Sequence, residues 1–333
     1  MSTRSSSIKW VRVVIVNFNG QAVLQACLDA LAAQTLCDFE VIIVDNGSTD
    51  SSLSVVHLPD SRFSWLLADT NLGFAAANNL AARGCQAPWL VTLNPDAFAE
   101  PTWLDQLRKA TERYPDVVAF GSTQIDAANR DRLDGCGDIF TGYGIPWRGG
   151  YLHPIDCLPP DGECFSPCAA AAMYRRDVFE AVGGFDKDFF CYVEDVDLGY
   201  RIRLKGYTSV QVSSAIVFHL SSHCTGRYSE FTLFHSYRNR VLLVFKNTPF
   251  PLVLFLFPLH IIATLYLLVR TRRDAGFRAS FSGVLAGLAK LPGYLSARAQ
   301  VQRSRRISSW RIIQALTWSV AKMKTRAIDL RAR

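Results

Sequence analysis

The sequence predicts an α/β fold, a mostly parallel sheet with helices on both faces. Residues 11–18 (VRVVIVNF) and 39–45 (FEVIIVD) are unbroken runs dominated by β-branched residues, the pattern of strands covered on both sides. The stretches between such runs carry helical spacing, and strand alternating with helix implies crossover connections and parallel pairing. The predicted strands end on polar residues: Asn17 and Asn19, Asp45 and Asn46, Asn94 and Asp96. Parallel sheets bind ligands beyond those carboxyl ends, so the functional site is expected there.

The elements follow in order. Val23, Leu24, Cys27, Leu28 and Leu31 share one face of a helix over 21–33. The turn Asn46-Gly47-Ser48-Thr49-Asp50 suits the start of a short helix. A third strand is expected over 63–67, an alanine-rich helix over 74–83, a fourth strand over 88–93 (PWLVTL), a helix over 104–113 and a short strand over 117–120. Residues 122–165, rich in Gly, Pro and Asp, read as loops with short strands. A buried strand of small residues is expected over 168–174, a helix over 177–182 closed by Gly183-Gly184, and a helix over 194–205 ended by Gly206. Short strands over 209–212 and 215–218 lead into His219, and 230–246 reads as a helix.

Charge is spread unevenly. The net charge is +7, yet residues 270–333 hold fifteen Lys/Arg against two Asp/Glu, leaving the remainder at −6. A basic tail on a mildly acidic body points to a polyanion, either anionic lipid or nucleic acid. Arginines interleaved with Ile307, Trp310 and Ile312 fit an interfacial helix better, so no nucleic-acid partner is expected. Between Lys246 and Arg270 there is no Asp, Glu, Lys or Arg, and 249–269 (PFPLVLFLFPLHIIATLYLLV) is long enough to cross a bilayer. Pro258 and His260 in its middle, and a basic tail that one crossing would export, favour a broken, re-entrant or interfacial segment over a span. Residues 280–295 read as a second, shallow amphipathic element; the alternative is a helix pair buried against the body. Nine cysteines, an odd number with no C-x-x-C pair, do not make a disulfide framework and favour a reducing compartment. The opening MSTRSSSIKW lacks the apolar stretch of a signal peptide, so the body is expected in the cytoplasm.

Chemistry concentrates at three places. Asp96, in Leu93-Asn94-Pro95-Asp96-Ala97, is a carboxylate just past a buried strand; it can ligate a hard divalent cation or cap the next helix. Glu194, Asp195 and Asp197 crowd the first turn of one helix, where the helix dipole favours their ionised forms. Asp197 and Arg201, one turn apart, are expected to pair, which leaves Glu194 and Asp195 for the cleft, Asp195 as a general base. His219 ends a strand, and a neutral imidazole there can complete a metal or phosphate site. Arg227, Tyr237, Arg238 and Arg240 can meet phosphates of donor or acceptor or make salt bridges on a solvated helix face; Arg175 and Arg176 carry the same two readings.

Together these pieces resemble a known family. Val13-Val14-Ile15-Val16-Asn17-Phe18-Asn19, Val44-Asp45-Asn46-Gly47-Ser48-Thr49-Asp50, Asn71-Leu72-Gly73-Phe74-Ala75-Ala76-Ala77-Asn78-Asn79, Asn94-Pro95-Asp96, Gly183-Gly184-Phe185-Asp186 and Glu194-Asp195-Val196-Asp197 occur in that order. The pattern is similar to glycosyltransferase family two, with its GT-A fold, and within it to the bacterial rhamnosyltransferase-like branch that builds polysaccharide on lipid carriers. The resemblance implies a Rossmann-like GT-A catalytic domain over 10–245, after a flexible N-terminus (1–9) and before a membrane-associating helical region (246–333). It implies an inverting, metal-dependent hexosyltransferase. Its donor would be a nucleoside-diphospho-sugar, dTDP-rhamnose or another hexose on UDP or GDP. Its acceptor would be a lipid-pyrophosphate-linked saccharide at the cytoplasmic face of the bacterial inner membrane. Val16, Asn17, Phe18, Asn19 and Asp45 are then expected to hold base and ribose, and Asn71, Gly73 and Asn78 to line the nucleotide pocket. Asp96 and His219 are expected to hold magnesium or manganese, and Asp195 to act as general base. Asn94 stands where the family's metal motif has its first acid, leaving one carboxylate for the metal; it can instead hydrogen-bond the donor sugar.

Overall fold

The computed structural model describes residues 8–221 and 229–333. In chain order its elements are β1 (Val11–Asn17), α1 (Leu24–Ala32), β2 (Phe39–Asp45), α2 (Ser52–Val55), β3 (Phe63–Leu67), α3 (Gly73–Ala82), β4 (Trp89–Leu93), β5 (Ala97–Ala99) and α4 (Trp103–Arg113). There follow β6 (Ala119–Asp126), β7 (Leu133–Gly135), β8 (Asp138–Phe140), β9 (Pro146–Arg148), β10 (Gly162–Cys164), β11 (Ala171–Arg175), α5 (Arg176–Ala181), α6 (Glu194–Leu204) and β12 (Ser209–His219). Helices α7 (Glu230–Asn247), α8 (Val253–Arg270), α9 (Phe277–Lys290), α10 (Leu295–Arg303), α11 (Ser309–Ala315) and α12 (Val320–Thr325) complete the chain.

The main sheet runs β10-β12-β6-β11-β4-β1-β2-β3. Strand β1 pairs in parallel with β2 and β4, and β2 with β3. Strand β11 lies antiparallel between β4 and β6, and β12 returns parallel to β6. The unbroken apolar runs of β1 and β2 follow from burial on both faces. Val11, Val13 and Ile15 pack with Leu24, Leu28 and Leu31 of α1, while Val14 and Val44 pack with Ala77 and Ala81 of α3. The strand predicted over 117–120 is a longer central one, β6. Its continuation is polar yet buried, with partners for two of its hydroxyls: Trp103 Nε1 donates to Ser122 Oγ at 2.8 Å, and Thr123 Oγ1 to Ser213 O at 3.1 Å. The two strands expected on either side of Ser213 form one, β12, with a register shift between Val212 and Ile216.

The apolar segment after α7 is one continuous helix, α8, with Pro258 inside it, so the broken form expected from Pro258 is corrected. Leu256, His260, Thr264 and Leu268, spaced four apart, are its buried stripe; Leu254, Phe255, Ile262 and Val269 point outward and are exposed. This is neither a fully buried helix nor an isolated one. Among the described residues it is the one helix long and apolar enough to cross a membrane. Helix α9 packs on α7 through Gly283 and Gly287, whose bare Cα atoms face the α7 backbone at Phe234 and Arg238; a Cβ there would collide. The chain end folds back on the body: Thr317 N donates to Phe140 O at 2.9 Å, Arg331 N to Glu163 O at 3.0 Å, and Arg333 pairs with Asp116.

Candidate active site

Two adjoining cavities open at the carboxyl ends of the parallel strands. One, of about 500 Å³, is lined by Val16 and Phe18 after β1, Asn46 after β2, Asn71 and Gly73 entering α3, and Asn94, Asp96 and His219. The other, of about 270 Å³, is lined by Asp138, Trp147, Ala169, Glu194, Asp195 and Ser236. Phe74, Asn94, Arg148, Cys191 and Tyr192 line both, so Asp96 and Asp195 look onto joined spaces.

The larger cavity is floored by a tight set of side-chain hydrogen bonds. Asn17 Nδ2 donates to Asp45 Oδ1 (3.2 Å) and Ser48 Oγ (3.1 Å), tying the ends of β1 and β2. Asn46 Nδ2 donates to Asn71 Oδ1 (2.9 Å), and Asn46 Oδ1 accepts from Leu72 N (2.9 Å). Gly73 has φ +79°, and any Cβ there would strike Phe190, so glycine is required for the approach. Asn19 lies outside both linings: its Oδ1 accepts from Thr49 N and Asp50 N, shaping the turn after β2. Asn78 is buried inside α3, its Nδ2 spent on Phe74 O at 2.9 Å. For these two the expected ligand contact is corrected to support of the walls.

At the junction, His219 Nε2 lies 3.2 Å from Asp96 Oδ1 and 3.4 Å from Asn94 Nδ2, and Nδ1 lies 2.7 Å from Asp134 Oδ2. Burial alone would lower the imidazole, but the two carboxylates outweigh it and raise it to about 9. The neutral ring expected from sequence is therefore an imidazolium clasped between acids while no cation is bound. The donor set suits a divalent ion: a carboxylate oxygen and an imidazole nitrogen converge, and Asp134 behind the ring orients it as outer partners of metal-bound histidines do. Binding would displace the Nε2 proton.

Around Asp195 the surroundings are acidic and buried. Its Oδ2 accepts from Ala169 N at 3.1 Å. Asp138, Cys168 and Asp195 present ligand atoms within 4.8 Å of one another, but Arg148 already faces them with positive charge, and Asp138 hydrogen-bonds Asp195. Burial and the neighbouring Asp195 push the Asp138 carboxyl well above the usual range. Burial, then Asp195, does the same to Glu194, which overturns the expectation that the helix dipole keeps it ionised. Asp197 meets its expected partner Arg201 at 2.8 Å and Lys246 at 2.7 Å; burial opposes ionisation, but Lys246 and Arg201 outweigh it and lower its pKa.

Helix α6 is entered through a strained loop in which Phe190, Tyr192 and Val193 all have positive φ. Helix α7 holds it. Asn239 Nδ2 donates to Phe189 O, Cys191 O and Tyr192 O at 2.7–2.9 Å, and Arg238 Nη2 to Asp188 O and Phe189 O. Arg238 is thus spent on backbone, and Arg240 lies over the Tyr237 ring at 4.0 Å; neither lines a cavity, which corrects their expected role toward phosphates. Arg227 lies outside the described residues. Arg175 pairs with Asp177 and Arg176 with Glu180 on the surface.

Sequence reasoning missed Asp134, Asp138 and Arg148, all inside the stretch read as loops. No local cue marks them: Asp134 follows Arg130 and Arg132 in a Gly- and Asp-rich stretch that suits a solvated turn equally well.

Comparison with known proteins agrees with this geometry. The chain is 29% identical over 326 residues to the N-acetylglucosaminyl-diphospho-decaprenol L-rhamnosyltransferase of Mycobacterium tuberculosis, covering 88% of this chain and 95% of that one. It superimposes with a TM-score of 0.58 on a GalNAc transferase solved with UDP, GalNAc and manganese, at 16% identity over 72% of this chain and 48% of that one. A mannosyltransferase from Pyrobaculum calidifontis, solved with GDP-mannose and manganese, gives 0.51 at 18% identity, over 90% of this chain and 85% of that one. These structural likenesses establish the GT-A fold and show that proteins of this fold bind nucleotide-sugars and a divalent metal. The model of glycosyl transferase family 2 matches residues 12–183, and the chain belongs to that family.

Proposed function

We propose that this chain is an inverting, metal-dependent hexosyltransferase acting on a lipid-pyrophosphate-linked saccharide at the cytoplasmic face of the bacterial inner membrane. Rhamnose from dTDP-rhamnose is the preferred donor, on the strength of the mycobacterial relative. The observation that carries the reading is the pair of joined cavities, one with Asp96 and His219 and the other with Asp195. The larger takes the nucleotide-sugar, with Asn17 and Asp45 behind the base and ribose. The smaller takes the acceptor.

Asp195 removes the proton from the acceptor hydroxyl, whose oxygen attacks the anomeric carbon on the side opposite the diphosphate and inverts it. Glu194, kept protonated by burial, orients the acceptor as a donor of a hydrogen bond. Asn94, on both cavities, holds the sugar between them. Asp96 and His219 would hold magnesium or manganese, and the ion would supply positive charge to the departing diphosphate.

Helix α7 links this site to the exposed apolar face. It contributes Ser236 to the smaller cavity, and α8 and α9 pack against its body. That arrangement suits an acceptor whose lipid stays in the bilayer. The test is a panel of nucleotide-sugars with a lipid-pyrophosphate-linked N-acetylglucosamine acceptor, scored for released nucleotide and product anomer. Turnover with an inverted product supports the reading; a retained anomer, or no turnover with any donor, overturns it. Turnover with galactose, mannose or N-acetylglucosamine in place of rhamnose keeps the class and changes the sugar.

A further inference from the structure

We infer that Arg148 is a diphosphate-binding residue of this site, gripping the leaving diphosphate of the donor beside the weakened metal end. The inference rests on the reading of the larger cavity as a nucleotide-sugar pocket. Among the described residues, Arg148 is the one lysine or arginine lining either cavity, and it lines both. It ends β9, whose partner strand β8 carries Asp138 directly across from it.

Its guanidinium is anchored on one side. Nη1 donates to Asp134, the carboxylate that also holds His219 Nδ1, and lies 3.5 Å from Ser221 Oγ. One buried acid therefore fixes both side chains at the junction. The other edge, Nε and Nη2, donates to no described residue, and the side chain keeps 27% of its surface accessible. A planar guanidinium fixed by one nitrogen, with donors to spare in a side chain that lines both cavities, is suited to the oxygens of a phosphate group.

The position gives this donor a purpose. Asn94 supplies no charge where a second carboxylate would strengthen the hold on a cation. The same neutrality adds no further anion beside Arg148, which already faces Asp134, Asp138 and Asp195. Charge grows on the leaving oxygen as the glycosidic bond breaks, and a preorganised cation there acts without rearrangement. Trp147 Nε1 donates to Ala327 O at 3.0 Å and Gly150 N to Arg326 O at 2.8 Å, so the chain end pins the hairpin on both sides of Arg148.

A diphosphate can come from the donor or from the acceptor's lipid pyrophosphate, and the experiment separates them. Full-length protein, wild type, Arg148→Gln and Arg148→Lys, is titrated with UDP, dTDP and GDP in EDTA and with manganese. The matching nucleosides are followed by ligand-observed NMR, and KM is measured for the acceptor. Arg148→Gln, which removes the charge and keeps a polar side chain, is expected to bind the nucleoside diphosphate at least tenfold more weakly in EDTA and the nucleoside unchanged. Arg148→Lys is expected to restore binding to within a few-fold. Wild-type diphosphate affinity in Arg148→Gln overturns the assignment, as does a lysine variant no better than glutamine. A change confined to acceptor KM also overturns it and moves the contact to the acceptor. Wild-type protein that binds no nucleoside diphosphate and transfers no sugar defeats the functional reading itself, a result distinct from any of these.

Discussion

The two cavities are built on different principles. The larger is walled on one side by short loops that follow parallel strands, where Asn46 Nδ2 donates to Asn71 Oδ1 and Asn17 behind them donates to Asp45; Phe190, Tyr192, Arg148 and Phe231 close it on the other. The smaller is walled by a hairpin, a strained loop and a long helix drawn from distant parts of the chain, and it buries acids whose pKa values rise. Of the three non-glycine residues with positive φ in that loop, Tyr192 and Val193 line the smaller cavity and Phe190 and Tyr192 the larger, and the loop is held by Asn239 and Arg238. A nucleotide pocket can be a generic consequence of the sheet, whereas the acceptor side needs a bespoke arrangement kept in place by tertiary contacts. Chemistry that depends on strain and shifted protonation belongs on the second side.

The sharpest way to break that division is Asp195→Asn. If the smaller cavity carries the base and the larger only the donor, turnover falls by about 10² or more while nucleotide affinity holds. Full turnover in the variant would remove Asp195 from the mechanism. Asp96→Ala tests the junction from the other side. Removing even an outer partner of a metal site costs about 10–100-fold in metal affinity, so loss of a ligand should weaken manganese-dependent donor binding at least that much. Titration of the variant with nucleotide-sugar, with and without manganese, reads it directly; an unchanged metal dependence places the ion elsewhere.

How much of this was legible in the sequence follows the same division. Strands β1, β2 and β4 and the helices α1 and α3 are readable because their apolar pattern is local, and the polar ends of the strands mark the larger cavity. Asp197 was separable from Asp195 by a helical-turn argument, since Arg201 stands four residues on. Asp138 and Arg148 were not legible, because they acquire meaning only when β8 and β9 pair and the hairpin swings beside α6. The length of β6 was hidden by Ser122, Thr123 and Gln124, polar residues whose partners come from other elements. His219 was found as a residue, but its partner Asp134, which orients the ring, was not, because that acid lies far away in the chain.

The exposed apolar face sharpens the comparison further through helix α7, which gives Phe231 to the larger cavity and Ser236 to the smaller. Helix α7 lines the smaller cavity and carries α8 and α9 on its flanks. Removing the whole C-terminal region would also remove the contacts that hold the β8–β9 hairpin, so point changes are the cleaner probe. Phe255 and Ile262, 70% and 64% exposed, support no described core cluster. Burying a large apolar side chain is worth about 1.5–3 kcal/mol. The double change Phe255→Ser, Ile262→Ser should therefore lower binding to vesicles containing anionic lipid by about tenfold or more. Turnover on a short, water-soluble acceptor should stay at the wild-type level while turnover on a long-chain acceptor in vesicles falls. Equal losses on both acceptors would mean that the face supports the fold instead of docking it.

The smallest effect concerns Glu194 and is a matter of pH. Its carboxyl is raised above the ordinary value of 4.5, first by burial and then by Asp195. Between 4.5 and the raised value the folded chain keeps a proton that the unfolded chain has released, so this residue's contribution to stability is full at low pH and declines as pH rises. The decline is at most about 1.4 kcal/mol per pH unit across that interval. Glutamine has the shape of the protonated acid and does not titrate. Glu194→Gln should therefore melt close to wild type below the ordinary carboxyl value and progressively above it as pH rises, with nucleotide affinity unaltered. A constant offset between the two melting curves across that range would mean that Glu194 is ionised in the folded state. The smaller cavity would then be as solvated as the larger, and the contrast between them would be lost.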